Sequence, residues 1–401
     1  MNNKIKKILN KNMTKNFNTI EVIFLVIVTC LVSLYFGTKI TYKEEVKDKY
    51  ITELENVYNE IVNNYYKDVN KEDLLSGAIN GMTSTLDEYS TLIDSTENEN
   101  FYLTLEGSYN GVGIEIASDE NNNILIVGII ENSPAEKTGL IAGDIIKKID
   151  NIDLKEKDYK FVSEYIRKNS KKNQYEIEVE RNGKTLSFKL NKETITIKSV
   201  LSKIIEKENR KIGYIYISIF SNTTAAQFKN ELKELRNNNI DSLIIDVREN
   251  SGGHLATAVS ILSELLSSEH VIYQIEKENK KSKFYSLGNK DFEYPIIVIQ
   301  NCNSASAAEM LAISLKENLN ATIVGEKSYG KGLVQELNYL TNGDSYKYTT
   351  KSWLSPNGVW INEVGVEPDI EVELGEEYYN NPADETDSQL QTAINHIINK
   401  M

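Results

Sequence analysis

The stretch PIIVIQNCNSASAAEMLAISLKENLNATIVG, residues 295 to 325, decides the fold. It opens on a β-branched apolar run too short for a buried helix, passes through small polar residues, and continues with helical spacing from Ala305 to Asn318. It closes on a second β-branched run, ATIVG. A strand, a helix and a strand in that order form one crossover of a parallel sheet. The same alternation extends toward the N-terminus. GYIYISIF (213–220) precedes a helix from Thr224 to Asn237, and SLIIDV (242–247) precedes one from Leu255 to Ser267. Strands that are apolar nearly throughout must be covered on both faces, which predicts an α/β layered core. No internal repeat is present.

The whole chain of 401 residues, 26% charged and 40% apolar, is too long for one core and too apolar for disorder, so two or three domains are expected. Residues 1–20 carry five lysines (Lys4, Lys6, Lys7, Lys11, Lys15) and no acid, and without them the remaining body stands at −19. Such a body repels phosphate, which excludes a nucleic-acid binder. Two cysteines, Cys30 and Cys302, rule out a disulfide framework or a cysteine-built zinc site, and three scattered histidines argue against a metal centre. The basic stub runs into Val22–Phe36, fifteen residues without a charge. That run, flanked by lysines and followed by no small-residue cleavage site, reads as an uncleaved membrane anchor over 21–40. The lysines place residues 1–20 in the cytoplasm and everything after Lys39 outside it.

Residues 41–100 show apolar positions at helical spacing (Leu54, Val57, Ile61; Leu74, Leu75, Ile79) and predict two or three helices. From about 101 to 192 the pattern changes to short strands, GIEIA, NNILIVGII, YEIEVE and TLSFKL, with a helix near Tyr159 to Lys168: an antiparallel β module. Within it, SPAEKTGLIAGDII (133–146) resembles the signature of PDZ domains, and Gly111-Val112-Gly113-Ile114 is similar to their carboxylate-binding loop. A Gly-x-Gly loop entering a strand exposes backbone N–H groups to a chain-terminal carboxylate, while the strand edge accepts an extended peptide.

A serine at the strand-to-helix turn 301–306 lies where helix N-terminal N–H groups favour negative charge, as an attacking alkoxide requires, although N-capping is the commoner use of such a position. With the later string Ser328-Tyr329-Gly330-Lys331-Gly332-Leu333-Val334-Gln335, the turn resembles the carboxy-terminal processing peptidases, serine proteases with a Ser-Lys pair. The resemblance includes Asp246-Val247-Arg248-Glu249-Asn250-Ser251-Gly252-Gly253, Ser355-Pro356-Asn357-Gly358 and Gly365-Val366-Glu367-Pro368-Asp369, and covers roughly 45 to 375. It implies Ser306 rather than Ser304 as nucleophile, Lys331 as general base and Gln335 as the residue orienting that base. It implies an oxyanion hole from the backbone of Ala307 with Gly252 or Gly253, and no metal or cofactor. A lysine serves as base only when neutral, and burial favours the neutral form.

The resemblance thus implies a membrane-anchored serine endopeptidase, active outside the cytoplasm, whose PDZ domain holds the C-terminal tails of protein substrates. The parts would be a stub (1–20), an anchor (21–40), a helical segment (41–100), the PDZ domain (101–192), the protease core (193–375) and a linker with a last helix (376–401). That helix carries Leu390, Ile394 and Ile397, a stripe compatible with pairing to a second copy of the chain or with packing in cis. Other readings compete. His254 beside the glycines suggests a Ser-His-Asp triad with Asp246. Cys302 sits four residues from Ser306. Gly325-Glu326-Lys327-Ser328-Tyr329-Gly330-Lys331 satisfies part of a phosphate-binding loop, but Gly332 follows where Ser or Thr is needed. A catalytically inactive membrane-tethered peptide scaffold is the remaining alternative, opposed by the joint presence of Ser306, Lys331 and Gln335.

Overall fold

Six strands form the central sheet in the order Val200–Lys207, Arg210–Ile217, Ser242–Asp246, Ile296–Gln300, Thr322–Gly325, Ile370–Glu371. The first two pair antiparallel; every later neighbour is parallel. The computed structural model describes residues 18–39, 48–169 and 171–400, apart from the side chains of 34–39, 96, 99 and 100. Alternate residues of the parallel strands feed two separate cores. Leu243, Ile245, Val298 and Ile323 pack with the helices Thr224–Asn237, Leu255–Leu262 and Ala307–Leu319 on one face. Ile244, Ile297, Ile299 and Val324 pack with the helix Ser388–Lys400 on the other. Period-two alternation with both sides apolar is what a doubly covered sheet demands.

The stripe on the last helix is resolved by this packing. Leu390, Ile394 and Ile397 are buried in cis, each contributing about 1.5 to 3 kcal/mol, and are not available to a second copy. The helix is also pinned by a buried polar network. Arg248 donates to Asp246, to both Asp387 oxygens and to Gln389, so the end of the Ser242–Asp246 strand and the last helix share one guanidinium. The helix from Leu255 is shorter than the sequence suggests. It ends at Leu262, where Ser263 turns its hydroxyl back onto the Val259 carbonyl and the chain folds into turns.

A second, five-stranded antiparallel sheet lies beside the site. Ser345–Leu354 is its centre, flanked by Thr91–Ile93 and Val271–Lys277, with Leu333–Tyr339 also pairing to it and Lys280–Tyr285 on the far edge. The module over the second hundred residues is antiparallel throughout. Its strand order is Ile114–Ser118, Ile124–Ile129, Ile145–Ile149, Gln174–Arg181, Lys184–Asn191, with helices Pro134–Thr138 and Tyr159–Lys168. Arg181 closes it with two 2.6 Å bonds to the buried Asp144.

The chain divides into a unit ending at Leu75 and one beginning at Ser76. In the first, helix Lys49–Asn64 is capped by Asp48 and buries none of its residues, so Leu54, Val57 and Ile61 stay exposed. The apolar run Val22–Phe36 lies in a helix, Thr19–Lys39, whose described apolar side chains are exposed. Among the described residues no helix is long and apolar enough to cross a membrane. The five lysines of the basic stub lie outside the described residues.

Candidate active site

Three loops leave the C-terminal ends of adjacent parallel strands, after Asp246, after Gln300 and after Gly325, and they converge. That edge of an open α/β sheet is where ligands bind. The middle loop carries Ser306, at the N-cap of the Ala307–Leu319 helix, with φ +56° and ψ −112°. A non-glycine residue in that region is strained, and such strain persists only where the surroundings enforce it. The enforcing contact is Glu309, whose Oε2 accepts the Ser306 N–H at 2.7 Å, one half of a capping box. In the other half, the Ser306 hydroxyl oxygen faces the Glu309 backbone N–H without making a full cap hydrogen bond, and the hydroxyl donates to no acceptor among the described residues. Ser304 differs. It is buried, its hydroxyl accepts from Asn301 N–H and donates to the Val247 carbonyl, and so it holds the loop.

The loop after Asp246 packs directly against Ser306. Gly252 has φ +104°, and a Cβ there would stand 2.8 Å from Ser306 Cβ and 2.9 Å from the Ala305 carbonyl, so only glycine fits. Asn250 fixes this turn by donating to the Ile217 carbonyl and accepting the Gly252 N–H at 2.8 Å. Glu249 straps it to the neighbouring loop through Asn301 and Asn303. These bonds distinguish the two glycines. The Gly252 N–H is already spent on Asn250, whereas the N–H groups of Gly253 and of Ala307, the first residue of its helix, have no acceptor among the described residues.

Lys331 comes from the third loop. Its backbone N–H binds Glu309 Oε2 at 2.9 Å, while Glu309 Oε1 takes the Gly330 N–H at 2.7 Å and the Ser328 hydroxyl at 2.6 Å. One buried carboxylate thus clamps the loops of Ser306 and Lys331 together. Burial pushes the Glu309 carboxyl above its ordinary value, and the four donors restrain that rise. The Lys331 ammonium is held below the ordinary lysine value, first by burial and then by Lys347, with Glu309, Asp87 and Glu88 pulling the other way. Nζ stands 4.7 Å from the centre of the Tyr89 ring and makes no hydrogen bond to Ser306 or Gln335. Gln335, at a bulge in its strand, instead donates to Thr349 Oγ1 at 3.1 Å. The structure therefore unites Ser306, Ala307, Gly252, Gly253 and Lys331, and leaves Gln335 bonded elsewhere.

The competing sequence readings do not assemble. Asp246 is bonded to Arg248 and Tyr214, and His254 Nε2 is buried without a partner, so no triad forms. Burial and Glu326 push the Cys302 thiol up, away from thiolate chemistry. The Gly330 and Lys331 N–H groups point at Glu309 and a strand, not a helix, follows, which removes the phosphate loop. Among the described residues no cluster of His, Cys, Asp or Glu is arranged for a metal. Sequence reasoning missed two participants. Glu309 was visible as the Glu of Ser-x-x-Glu; Tyr89 carried no signal.

In the antiparallel module, Gly111, Val112, Gly113 and Ile114 line a cavity of about 730 Å³ together with Ile166 and Arg167 of the Tyr159–Lys168 helix. The strand they lead into, Ile114–Ser118, is the edge of its sheet, so a groove lies between an open edge and a helix.

Comparison with known proteins follows the same division. Residues 211–372 match the family model "Peptidase family S41", 111–191 match "PDZ domain" and 33–97 match "Activating protease CtpB N-terminal domain". The chain is 37% identical over 330 residues to the carboxy-terminal processing protease CtpB of Bacillus subtilis (strain 168), covering 81% of this chain and 68% of that protein. It is 30% identical over 366 residues to CtpA of the same organism, covering 88% and 78%. Among solved structures it is similar to the photosystem II D1 C-terminal processing protease, 25% identical with TM-score 0.48, covering 80% of this chain and 86% of that one.

Proposed function

Because this chain belongs to the carboxy-terminal processing serine proteases of peptidase family S41 and carries their PDZ domain, we propose that it cleaves peptide bonds by a Ser306–Lys331 mechanism. The observation that carries this reading is the Glu309 clamp. It ties a strained serine with a free hydroxyl to the loop of a lysine whose burial favours the neutral amine. Neutral Lys331 Nζ takes the Ser306 proton as Oγ attacks the scissile carbonyl carbon. The resulting oxyanion lies at the N–H groups of Ala307 and Gly253, where the helix dipole adds to the field. The Lys331 ammonium then returns its proton to the departing amine as the C–N bond breaks, and water, activated by the same amine, hydrolyses the ester to free Ser306. Gln335 donates to Thr349 through Nε2, so its Oε1 would be the atom that accepts from the Lys331 amine once Nζ has left the Tyr89 ring.

The PDZ groove at Gly111–Ile114 would hold the substrate's terminal carboxylate. The test uses an unstructured peptide ending in small apolar residues and its C-terminally amidated twin. kcat/KM on the free-acid peptide should rise with pH along one limb lying below an ordinary lysine, because the active form is the amine. The amidated twin should show a higher KM. Activity best under acidic conditions would sink the lysine base, and indifference to amidation would sink the groove.

We further propose that residues 21–40 anchor the chain in the cell membrane with the protease outside the cytoplasm. This reading is supported by the uncharged run Val22–Phe36 behind five lysines. The full-length chain should stay in the membrane fraction after an alkaline carbonate wash and its core should be digested by protease added outside intact cells. A chain released by the wash would overturn the anchor.

A further inference from the structure

We propose that Tyr89 is a positioning residue for Lys331: its ring face holds the side-chain amine off Ser306 in the resting enzyme and sets the pH at which the amine becomes available. This rests on the Ser306–Lys331 reading above. Four observations carry it. Nζ is 4.7 Å from the Tyr89 ring centre, and no hydrogen bond draws it to Ser306 or Gln335. The ring stands beside Tyr329, in the same loop as Lys331, and the Tyr329 N–H binds the Ser304 carbonyl at 3.0 Å. The backbone around it is fixed too. Asp87 accepts from the Tyr89 N–H and the Ser90 hydroxyl, and Ser90 Oγ accepts the Thr349 N–H. Thr349 is also the residue that engages Gln335, and Thr91 pairs with Lys347, two residues from Thr349 in the same strand. A single short segment, 87–91, therefore touches the base directly and is linked through Thr349 to Gln335, the residue expected to orient it.

The physics of the contact is one-sided. An aromatic face attracts an ammonium and not an amine, so the ring raises the lysine's affinity for its proton while burial lowers it. The other groups facing Nζ divide as well. Lys347 repels the ammonium, and Glu309, Asp87 and Glu88 attract it. Tyr89 itself stays a neutral phenol, since burial with the Tyr329 and Glu88 contacts pushes its titration far up. For catalysis the four-carbon stem must swing from the ring to Ser306 Oγ, and losing the proton releases its hold on the ring. Deprotonation and repositioning are then one event.

The experiment measures kcat/KM against pH on the free-acid peptide for the full-length chain and for Tyr89→Phe, Tyr89→Leu and Tyr89→Trp, with melting curves for each. Leu should move the alkaline limb down by about half to one pH unit, a roughly three- to tenfold gain on its acid side. Phe should leave the limb in place and Trp should move it up. If Leu fails to fold, the Phe and Trp pair decides the order. A limb that stays fixed in every folded variant, or a fall in kcat with no movement of the limb, overturns the proposal and makes Tyr89 a packing residue. Ser306→Ala and Lys331→Ala are assayed alongside. If both are inactive while the limb ignores Tyr89, only the present inference fails. If Ser306→Ala keeps its activity, the parent mechanism fails instead.

Discussion

Ser306→Ala, Lys331→Ala and the double variant should all drop to one common floor, about 10⁴-fold or more below the unaltered enzyme in kcat. Residues that act as one unit are non-additive, because removing either leaves the other with nothing to do. Ser306 without the lysine is a hydroxyl with its proton in place, and Lys331 without the serine is a base with nothing to deprotonate. What would remain at the floor is peptide binding and the contribution expected of the proposed Ala307 and Gly253 N–H groups, neither of which either substitution touches. Gln335→Ala should fall far less, since its amide is bonded to Thr349 and not to Nζ. The measurement is single-turnover cleavage of the free-acid peptide, with melting curves to show that each variant is folded. Ser306→Ala retaining more than about a hundredth of the rate would remove it as nucleophile. A double variant multiplicatively slower than the singles would mean that the two side chains act independently.

The parts of this fold that were legible in the sequence are those where burial writes a periodic pattern. SLIIDV and PIIVIQN are buried on both faces and read at once as parallel strands. The second sheet was largely invisible for the opposite reason. Lys280–Tyr285 is exposed along its whole length, and Ser345–Leu354 is partly buried at most positions, so neither alternates cleanly. Ser306 and Lys331 were singled out because ordered motifs place them within short stretches. The choice between Gly252 and Gly253 stayed open in the sequence because it depends on where the Asn250 side chain points, which no spacing encodes. Tyr89 reaches Lys331 only through tertiary structure, from a segment whose local sequence reads as the end of a helical region.

Glu309→Gln is the substitution that separates a structural clamp from a mere helix cap. Each oxygen of Glu309 already accepts two donors, Ser328 and Gly330 on one, Ser306 and Lys331 on the other, so the group works as an acceptor only. An amide keeps one acceptor oxygen and turns an NH₂ toward two buried N–H groups. Each donor left unmet costs about 1 to 3 kcal/mol, which should lower the melting midpoint by roughly 5 to 10 °C. The functional loss should be larger in proportion. Ser306 holds its strained backbone against the Gly252 turn through one of these bonds, and Lys331 takes its place through another. A displacement near 1 Å between nucleophile and base costs on the order of 10²-fold, so kcat should fall by about 10²- to 10³-fold with KM little changed. Glu309→Ala, which abandons all four donors, should be worse in both respects. Were the carboxylate only a helix cap, the Gln variant would lose stability and keep its kcat, because an amide oxygen can still accept the Ser306 N–H. Melting curves beside kcat and KM for the two variants distinguish these outcomes. A folded Gln variant with unaltered kcat would leave the convergence of the two loops to be carried by Gly252 and the Tyr329–Ser304 bond alone.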